Sequence, residues 1–283
     1  PGIGEIPTVR PQRRLTTAAI FSFCFLFVVG CDIGLQDAGD PANLAIPDGI
    51  DPKNPKIERT SYGVDFSGVR LIRLEIPTGR IAISQSADGS SSLKVTETIL
   101  ANGHSDETLA RFLNESFISA QRSFVDASRL DIKAHIVGEL PTKDISFDIR
   151  LIMPISAGIE VFAVNAPVEI ISLAGNVEIQ TGGGDVYLDR VFGSVIVRTS
   201  RRAIEVRDVT GDVQLTTDDA PITLQLSPQP GIAVAAATTN APIHLTMARA
   251  TATTLDLAAD GGAVSADLSG FTLSDIAFGP NFL

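Results

Sequence analysis

Residues 168–224 read VEIISLAGN-VEIQTGGGD-VYLDRVFGS-VIVRTSRRA-IEVRDVTGD-VQLTTDDAP-ITL when the sequence is divided every nine residues. Each block opens with an apolar residue, any residue and a second apolar residue, so the outer two side chains lie on one face of a strand. The middle residues are mostly polar, which indicates that the opposite face is solvated. The triplets begin at Val168, Val177, Val186, Val195, Ile204, Val213 and Ile222. A fixed period of this kind is typical of a solenoid.

The repeating unit is a pair of strands, because turn residues recur before every second triplet. Three residues before alternate triplets lie Asn165, Gly183, Arg201, Asp219, Asn240 and Gly261. Gly, Asn and Asp tolerate positive φ, so we predict a corner turn at these positions once per coil. The opposite corner is predicted at Gly175, Gly193 and Gly211. After Ile222 the coil lengthens by three residues, which gives triplets at Ile243 and Val264.

The composition agrees with a narrow β interior. Val, Ile, Leu and Ala are abundant, whereas the chain has no Trp, two Tyr and two Met. β-Branched residues favour strands, and the 24 Gly and 16 Pro indicate many turns. We therefore predict a mainly β protein whose residues 154–283 form a single-chain β-solenoid, or β-helix, with about 18–21 residues per coil.

Residues 61–153 are predicted to form a small α+β region that precedes the solenoid. Alternating apolar residues predict strands at 69–76, 80–84, 92–99 and 130–137. Between the third and fourth of these, apolar residues recur every three or four positions, at Leu109, Phe112, Leu113, Phe117, Ala120 and Phe124. This spacing predicts one amphipathic helix over about 105–125, with Ser105 as its N-cap. We expect its apolar face to cover the open end or the side of the sheet.

Residues 1–30 have the layout of a secretory signal peptide, with Arg13 and Arg14 before an apolar run. Sixteen helical residues would span about 24 Å, which is short for a bilayer core of about 30 Å. The ending Val-Val-Gly-Cys at 28–31 resembles the bacterial lipobox. The resemblance implies cleavage after Gly30 and lipidation of Cys31, which would anchor the protein to a membrane. An uncleaved membrane anchor with an incidental cysteine is the alternative.

Residues 31–60 are rich in Pro, Asp, Asn and Gly and are predicted to form a flexible tether. The net charge is −11, and removal of residues 1–30, with three arginines and one glutamate, leaves −13. Such an acidic body argues against a nucleic-acid partner, because the phosphates would repel it. The two cysteines, Cys24 and Cys31, both lie in or beside the apolar run, so the body has neither disulfides nor cysteine metal sites.

Over about residues 66–270 the sequence resembles the bacterial putative-adhesin β-solenoid proteins, a broad family of envelope proteins. The resemblance is carried by PTGRIAI at 77–83, LIMP at 151–154, and the coils NAPVEI at 165–170 and GGDVYL at 183–188. Family members commonly have Asn-Gly at the corner, where this chain has Asn-Ala-Pro or Asp-Ala-Pro. The resemblance implies the bacterial cell envelope, on a periplasmic or extracellular face, and supplies no catalytic residues.

Few residues suggest chemistry. Gly182-Gly-Gly-Asp185 is a single, imperfect version of a calcium-binding turn, so we predict neither metal nor cofactor. Glu169 and Glu205 would lie on one side of the solenoid and Glu178 on the other, without a second acidic rank beside them. Glycosidases need two carboxyl groups about 5–10 Å apart. We therefore predict that the protein is not an enzyme.

The resulting hypothesis is a membrane-anchored envelope lipoprotein whose adhesin-like scaffold binds a protein or a glycan. The alternative is a structural or envelope-stress-related protein that assembles with itself, and the third hypothesis is a polysaccharide-active β-helix enzyme. An exposed apolar patch containing residues such as Tyr187, Phe192 and Ile196 would favour protein binding. A uniformly polar surface would favour a spacer.

Overall fold

The computed structural model describes residues 56–86, 92–101, 115–136, 145–154, 157–227, 230–247 and 253–267, all within one unit that spans Ala45–Leu283. These residues form eighteen strands, and no helix occurs among them. The strands are β1 (Lys56–Asp65), β2 (Leu71–Gln85), β3 (Ser92–Ala101), β4 (Ser116–Arg122), β5 (Arg129–Ile136), β6 (Ile145–Met153), β7 (Gly158–Asn165), β8 (Val168–Leu173), β9 (Val177–Thr181), β10 (Val186–Val191), β11 (Val195–Ser200), β12 (Ile204–Val209), β13 (Val213–Asp218), β14 (Ile222–Leu226), β15 (Ile232–Thr238), β16 (Ile243–Met247), β17 (Thr253–Ala259) and β18 (Val264–Asp267).

The strands from β7 onward confirm the predicted parallel β-solenoid. Sheet A contains the even-numbered strands β8 to β18, each parallel to the strand one coil away. Sheet B contains the odd-numbered strands β7 to β17, paired in the same way. In sheet A the coil register runs Val168, Val186, Ile204, Ile222, Ile243 and Val264. The coils are thus equal in length up to Ile222 and three residues longer after it, as the triplets predicted.

The long strand β2 joins the solenoid to the strands before it. Its first part, Leu71 to Ile76, pairs with β5 and β7 in sheet B. Its second part, from Gly79 onward, pairs with β6 and β8 in sheet A. Sheet A then continues from β6 to β3 and β1, and sheet B from β5 to β4, all through antiparallel pairs. The sheets therefore begin with antiparallel strands and continue as parallel coils.

One cluster of buried apolar side chains fills the space between the two sheets. It is lined by the outer residues of each triplet, such as Val186 and Leu188, which are 1% and 0% exposed. Buried threonines are the last or next-to-last residue of alternate strands, at Thr181, Thr199, Thr217 and Thr238. Three of their hydroxyl groups donate to corner carbonyls, at distances of 3.0–3.2 Å. The Thr199 hydroxyl is buried without a hydrogen-bond partner.

The predicted helix over 105–125 is wrong where the structure describes it. Residues 116–122 form β4, which pairs antiparallel with β5 along its whole length. Residues 105–114 lie outside the described residues. Ile118 and Ala120 pack against the core, whereas Phe117 is exposed, so the strand alternates with a period of two. Pairing with β5 overrides the three-to-four spacing, which included Phe124, a fully exposed turn residue.

A bend that the sequence analysis missed interrupts three successive sheet A strands. Ser172, Arg190 and Asp208 have φ values of 57°, 55° and 49°, in the left-handed region. In the register between β10 and β12, Asp189 faces Arg207 and Val191 faces Val209, so Arg190 and Asp208 are skipped. Each strand has one such residue at the same position, so the strands bend together and stay in register. Because the bends are one coil apart, they align along the stack.

The other parts of the predicted organisation fall largely outside the described residues. The signal peptide at 1–30 and most of the tether at 31–60 are among these, so they stay predictions. The division of the body into 61–153 and 154–283 also stays a prediction. The described residues contain no helix that is long and apolar enough to cross a membrane.

Candidate functional site

The six predicted corner residues lie between or at the ends of strands, and some of them lie close to the corner residue of the next coil. Arg201, Asp219 and Gly261 have positive φ values of 56°, 49° and 77°. Asn165, Gly183 and Asn240 are not among the positive-φ residues of the described chain. A Cβ on Gly183 would lie 2.6 Å from Oδ1 of Asn165, and Nδ2 of Asn240 donates to Oδ1 of Asp219. The hydrogen bond between Asn240 and Asp219 joins neighbouring coils, and the close approach at Gly183 leaves no room for a side chain there.

The predicted lipid-attachment residue Cys31 and the cleavage residue Gly30 lie outside the described residues. Among the described residues, no group of three or more His, Cys, Asp or Glu side chains could hold a metal ion. In the calcium-like turn, Oδ1 of Asp185 accepts the backbone N–H of Ala203 at 3.1 Å. The carboxylate thus links two coils.

The outer face of sheet A is mostly polar. Its middle residues form a row across the strands, namely Glu169, Tyr187, Glu205, Thr223, His244 and Ser265. Arg207 forms an ion pair with Glu205 at 2.5 Å, and its guanidinium lies 5.6 Å from the centre of the Tyr187 ring. His244 Nδ1 and Ser265 Oγ are 3.1 Å apart. Neighbouring side chains on this face therefore contact each other.

The two glutamates considered for catalysis lie two strands apart in this row, with Tyr187 between them. Strands are spaced by about 4.8 Å, so the backbones that carry Glu169 and Glu205 are about 10 Å apart. Glu178 lies on the outer face of sheet B, beside Ile196. The structure therefore keeps Glu178 on a different sheet from the other two.

The outer face of sheet B begins with a network of charged side chains around Arg73. Nε of Arg73 lies 2.8 Å from Oε1 of Glu75, and Nζ of Lys133 lies 2.9 Å from Oε2 of the same glutamate. The Arg73 guanidinium also lies 4.4 Å from the centre of the Phe162 ring. Partners on both sides lower the pKa of Glu75, the hydrogen bond from Lys133 most strongly, with burial opposing. Phe162 is thus held at the surface by a cation–π contact.

Exposed apolar side chains are concentrated on and around sheet B. Phe117 is 47% exposed and stacks on the His135 ring, with 4.6 Å between the ring centres. Val164 is 71% exposed at the end of β7, and Phe192 is 55% exposed at the turn that leads into β11. Of the residues expected to form an apolar patch, Tyr187 lies on sheet A, whereas Ile196 lies on sheet B beside the Phe192 turn. The expected patch is therefore split between the sheets.

A groove of about 680 Å³ runs along the flank of sheet B, where its strands begin. One row of lining residues, which we name the floor, consists of Leu71, Gly158, Asn176 and Ser194, from four successive strands or the turns before them. We name one wall after Ala174 and Phe192, which precede this row along the chain, and the other after Glu160, Glu178 and Ile196, which follow it. Phe192 lies one coil beyond Ala174, so a large side chain stands beside a small one. The sequence signal for the groove was this single aromatic residue.

Two acidic groups before the solenoid are buried. The Tyr62 hydroxyl donates to Oε1 of Glu97. Burial is the main cause of the raised pKa of Tyr62 and of the raised pKa of Glu97. Burial raises the pKa of Asp148 to about 6, although the nearby Arg80 and a hydrogen bond from Ser146 oppose the shift. Oδ2 of Asp148 is buried without a hydrogen-bond partner. The sequence analysis did not single out any of these residues.

Comparison with known proteins finds similar solved structures, and the three described next have low sequence identity to this chain. A putative adhesin from Bacteroides fragilis has 12% identity and a TM-score of 0.41, with 75% of this chain and 97% of that chain covered. A putative cell adhesion protein from Clostridium sporogenes has 9% identity and a TM-score of 0.28, with 75% and 99% covered. A putative lipid binding protein from Parabacteroides distasonis has 11% identity and a TM-score of 0.25, with 74% and 96% covered.

The descriptions of these neighbours agree with the adhesin-family resemblance of the sequence. No family model matches the chain, and no curated protein matches it. At these identities and TM-scores the neighbours supply no argument about what this chain binds.

Proposed function

We propose that this chain is a non-enzymatic lipoprotein of the bacterial cell envelope that presents the outer face of sheet B to a protein or glycan partner. The lipobox-like sequence before Cys31 supports a lipid anchor on a periplasmic or extracellular face. Residues 31–60, with their turn-forming composition, support a tether between this anchor and the folded body.

The observation that carries the binding proposal is the concentration of exposed apolar side chains around sheet B. Phe117 and Val164 are 47% and 71% exposed on this sheet. Clusters of exposed apolar groups bordered by polar residues are typical of interaction surfaces. The row across sheet A is polar by comparison, so we propose that the partner contacts sheet B.

The proposed absence of catalysis is supported by the pairing of the surface acids. Glu205 is paired with Arg207, and Glu178 with Arg198. Such pairs are common in structural networks. A polysaccharide-active enzyme is the third hypothesis, and cleavage of a polysaccharide that is lost in Glu169→Gln or Glu205→Gln would favour it.

The binding proposal is tested by crosslinking the lipid-anchored chain in intact envelopes and measuring the yield of crosslinked partner. The double substitution of Phe117→Ser and Val164→Ser is expected to lower the yield, because it removes exposed apolar area from sheet B. Glu169→Ala with Thr223→Ala changes two exposed sheet A residues and serves as the matched control. Equal yields from the two variants would overturn the assignment to sheet B.

The anchor requires a separate experiment. Metabolic labelling with a fatty-acid analogue is expected to label the wild type and not Cys31→Ser. Equal labelling of both proteins would mean that Cys31 is not the lipid-attachment residue.

Self-association is the second candidate function, and it is favoured by the last described sheet B strand. β17 pairs with β15, and no other described strand pairs with it. Its Leu255 and Leu257 are only partly buried although they pack against the core. Strand edges of this kind can pair with another chain. A concentration-dependent sedimentation coefficient for the full chain would favour this candidate.

A further inference from the structure

We propose that the groove beside Phe192 binds a neutral, linear oligosaccharide that lies along the solenoid axis. The inference rests on the proposed function, because it assigns a ligand class to one part of the sheet B side. It concerns a different surface from Phe117 and Val164, so the two proposals can fail separately.

The floor of the groove has a regular spacing. Leu71, Gly158, Asn176 and Ser194 come from four neighbouring strand positions, so three strand spacings of about 4.8 Å give a length of about 14 Å. A pyranose unit in an extended glycan is roughly as long as one such spacing, so about three units fit along the floor. Successive sugar units would therefore meet successive coils. A linear polymer suits this repeat better than a single small molecule.

The walls combine an aromatic ring with hydrogen-bonding groups. Phe192 is 55% exposed, and the small Ala174 one coil before it leaves room beside the ring. Pyranose rings present C–H groups on one face and hydroxyls around the edge. The C–H face can therefore stack on the ring of Phe192. The hydroxyls can bond to Glu160, Glu178 and Ser194 across the floor. Binding sites commonly combine an apolar wall with a few placed polar groups in this way.

Asn176 is placed to contribute a donor to the same floor. Its Oδ1 accepts the backbone N–H of Ser194 at 3.0 Å, which fixes the orientation of the side-chain amide. The Nδ2 group then remains for a ligand hydroxyl, since no other described residue bonds to it. The carboxylates of the wall accept hydrogen bonds, so donors and acceptors are both present.

The charges favour a neutral ligand. Oε1 of Glu178 lies 3.3 Å from Nη1 of Arg198, and Oε2 of Glu160 lies 3.8 Å from Nη1 of Arg73. Both wall carboxylates therefore already face a guanidinium, which lowers their attraction for a basic peptide. The whole chain carries −11, which repels a polyanionic glycan. A neutral glycan is not repelled by the negative net charge of the chain, and its binding does not depend on unpaired carboxylates.

The experiment measures binding of four hexasaccharides to the full chain in detergent by calorimetry. The probes are β-1,4-linked hexamers of glucose, mannose, xylose and N-acetylglucosamine. At least one is expected to bind, and Phe192→Ala is expected to lower its affinity about tenfold, because the stacking surface is lost. Phe124→Ala removes another exposed phenylalanine, in the turn between β4 and β5, and is the matched control. Its affinity should equal that of the wild type.

Salt provides the second readout, since affinity for a neutral sugar should not change with ionic strength. The inference is overturned if none of the four probes binds, if Phe192→Ala binds as tightly as the wild type, or if a hexalysine peptide displaces the sugar. If the sugars fail while the Phe117 and Val164 variant loses its envelope partner, the proposed function stands without this inference. If the sugars bind and that variant keeps its partner, the groove stands without the sheet B assignment.

Discussion

The strands before the solenoid, β1–β6, and the coil stack, β7–β18, bury different kinds of polar group. In the coil stack these groups are the threonines near the ends of alternate strands, and three of the four donate a hydrogen bond to a corner carbonyl without carrying a charge. Among β1–β6 they include two carboxyl groups, Glu97 and Asp148. The repeat places identical neutral groups at each corner of the coil stack. The pairing of β3 and β6 is not repeated, so each of their buried acids has a different environment. We therefore expect packing to limit the stability of the coil stack and protonation to modulate that of β1–β6.

The largest effect is expected at a close backbone contact in the coil stack. A Cβ on Gly193 would lie 2.3 Å from the carbonyl oxygen of Gly175 in the neighbouring coil. Gly193→Ala should therefore push two coils apart and lower the free energy of unfolding by about 3 kcal/mol or more. The measurement is the denaturant midpoint with its slope. Gly63→Ala in β1, where nothing lies within 4 Å of the added Cβ, is the control, and an equal loss there would contradict the explanation.

The next effect should appear as a pH dependence confined to β1–β6. Burial raises the pKa of Asp148 to about 6, so its contribution to stability is full below the unfolded pKa near 4 and is lost as the pH rises through 6. Asp148→Asn should match the wild type near pH 4 and exceed it at pH 7 by up to about 3 kcal/mol. Unfolding curves at both pH values measure the difference. Asp256→Asn on the exposed face of β17 is the control, and an unchanged difference between Asp148→Asn and the wild type at the two pH values would refute the account.

A smaller effect distinguishes two members of the threonine row. Oγ1 of Thr217 donates to the carbonyl of Arg202 at 3.1 Å, so Thr217→Val should cost about 1–2 kcal/mol. Thr199 has a buried hydroxyl without a partner, so Thr199→Val should be neutral or stabilising. Thermal unfolding of the two variants side by side provides the comparison. Equal destabilisation would show that the row acts through side-chain shape alone.

The smallest effect is expected at a surface ion pair of the coil stack. Arg198 and Glu178 are about half exposed, so Arg198→Gln should change the free energy of unfolding by less than about 0.5 kcal/mol. The same variant also tests the charge argument for the groove, because it leaves the Glu178 carboxylate without its ion-pair partner. A larger loss of stability than that of Thr217→Val would reverse the order expected here.

The coil stack could be predicted because its period is local. Triplets such as Val186 to Leu188 repeat every nine residues. Their spacing predicts the number of residues per coil, and their apolar positions predict which face of each strand is buried. The bend at Ser172, Arg190 and Asp208 was missed because none of these residues is a glycine and each lies inside an apparent strand. The threonine row was visible in the sequence once per coil, but a threonine in a strand is ordinary and gave no signal of a buried corner.

The strands before the solenoid were harder to predict, because their partners are distant in the sequence. Ser116–Arg122 became a strand through β5, whereas its phenylalanines imitate a helical period. β2 pairs with four other strands, and no local pattern indicates such a junction. The candidate site was predicted only in part. Phe192 was recognised as an outward apolar residue, but its relation to Ala174, Glu160 and Glu178 depends on the coil register in three dimensions.

The junction at β2 has a consequence for how such a protein can change its size. β2 is occupied on both sides in both sheets, so further parallel coils can be added only beyond β7 and β8. Each duplicated coil would lengthen the stack by about 4.8 Å and would leave strands β1–β6 unchanged. A gene can therefore adjust the reach of the molecule in small, equal steps, and the number of successive ligand-contacting positions along its side would grow with the same increments.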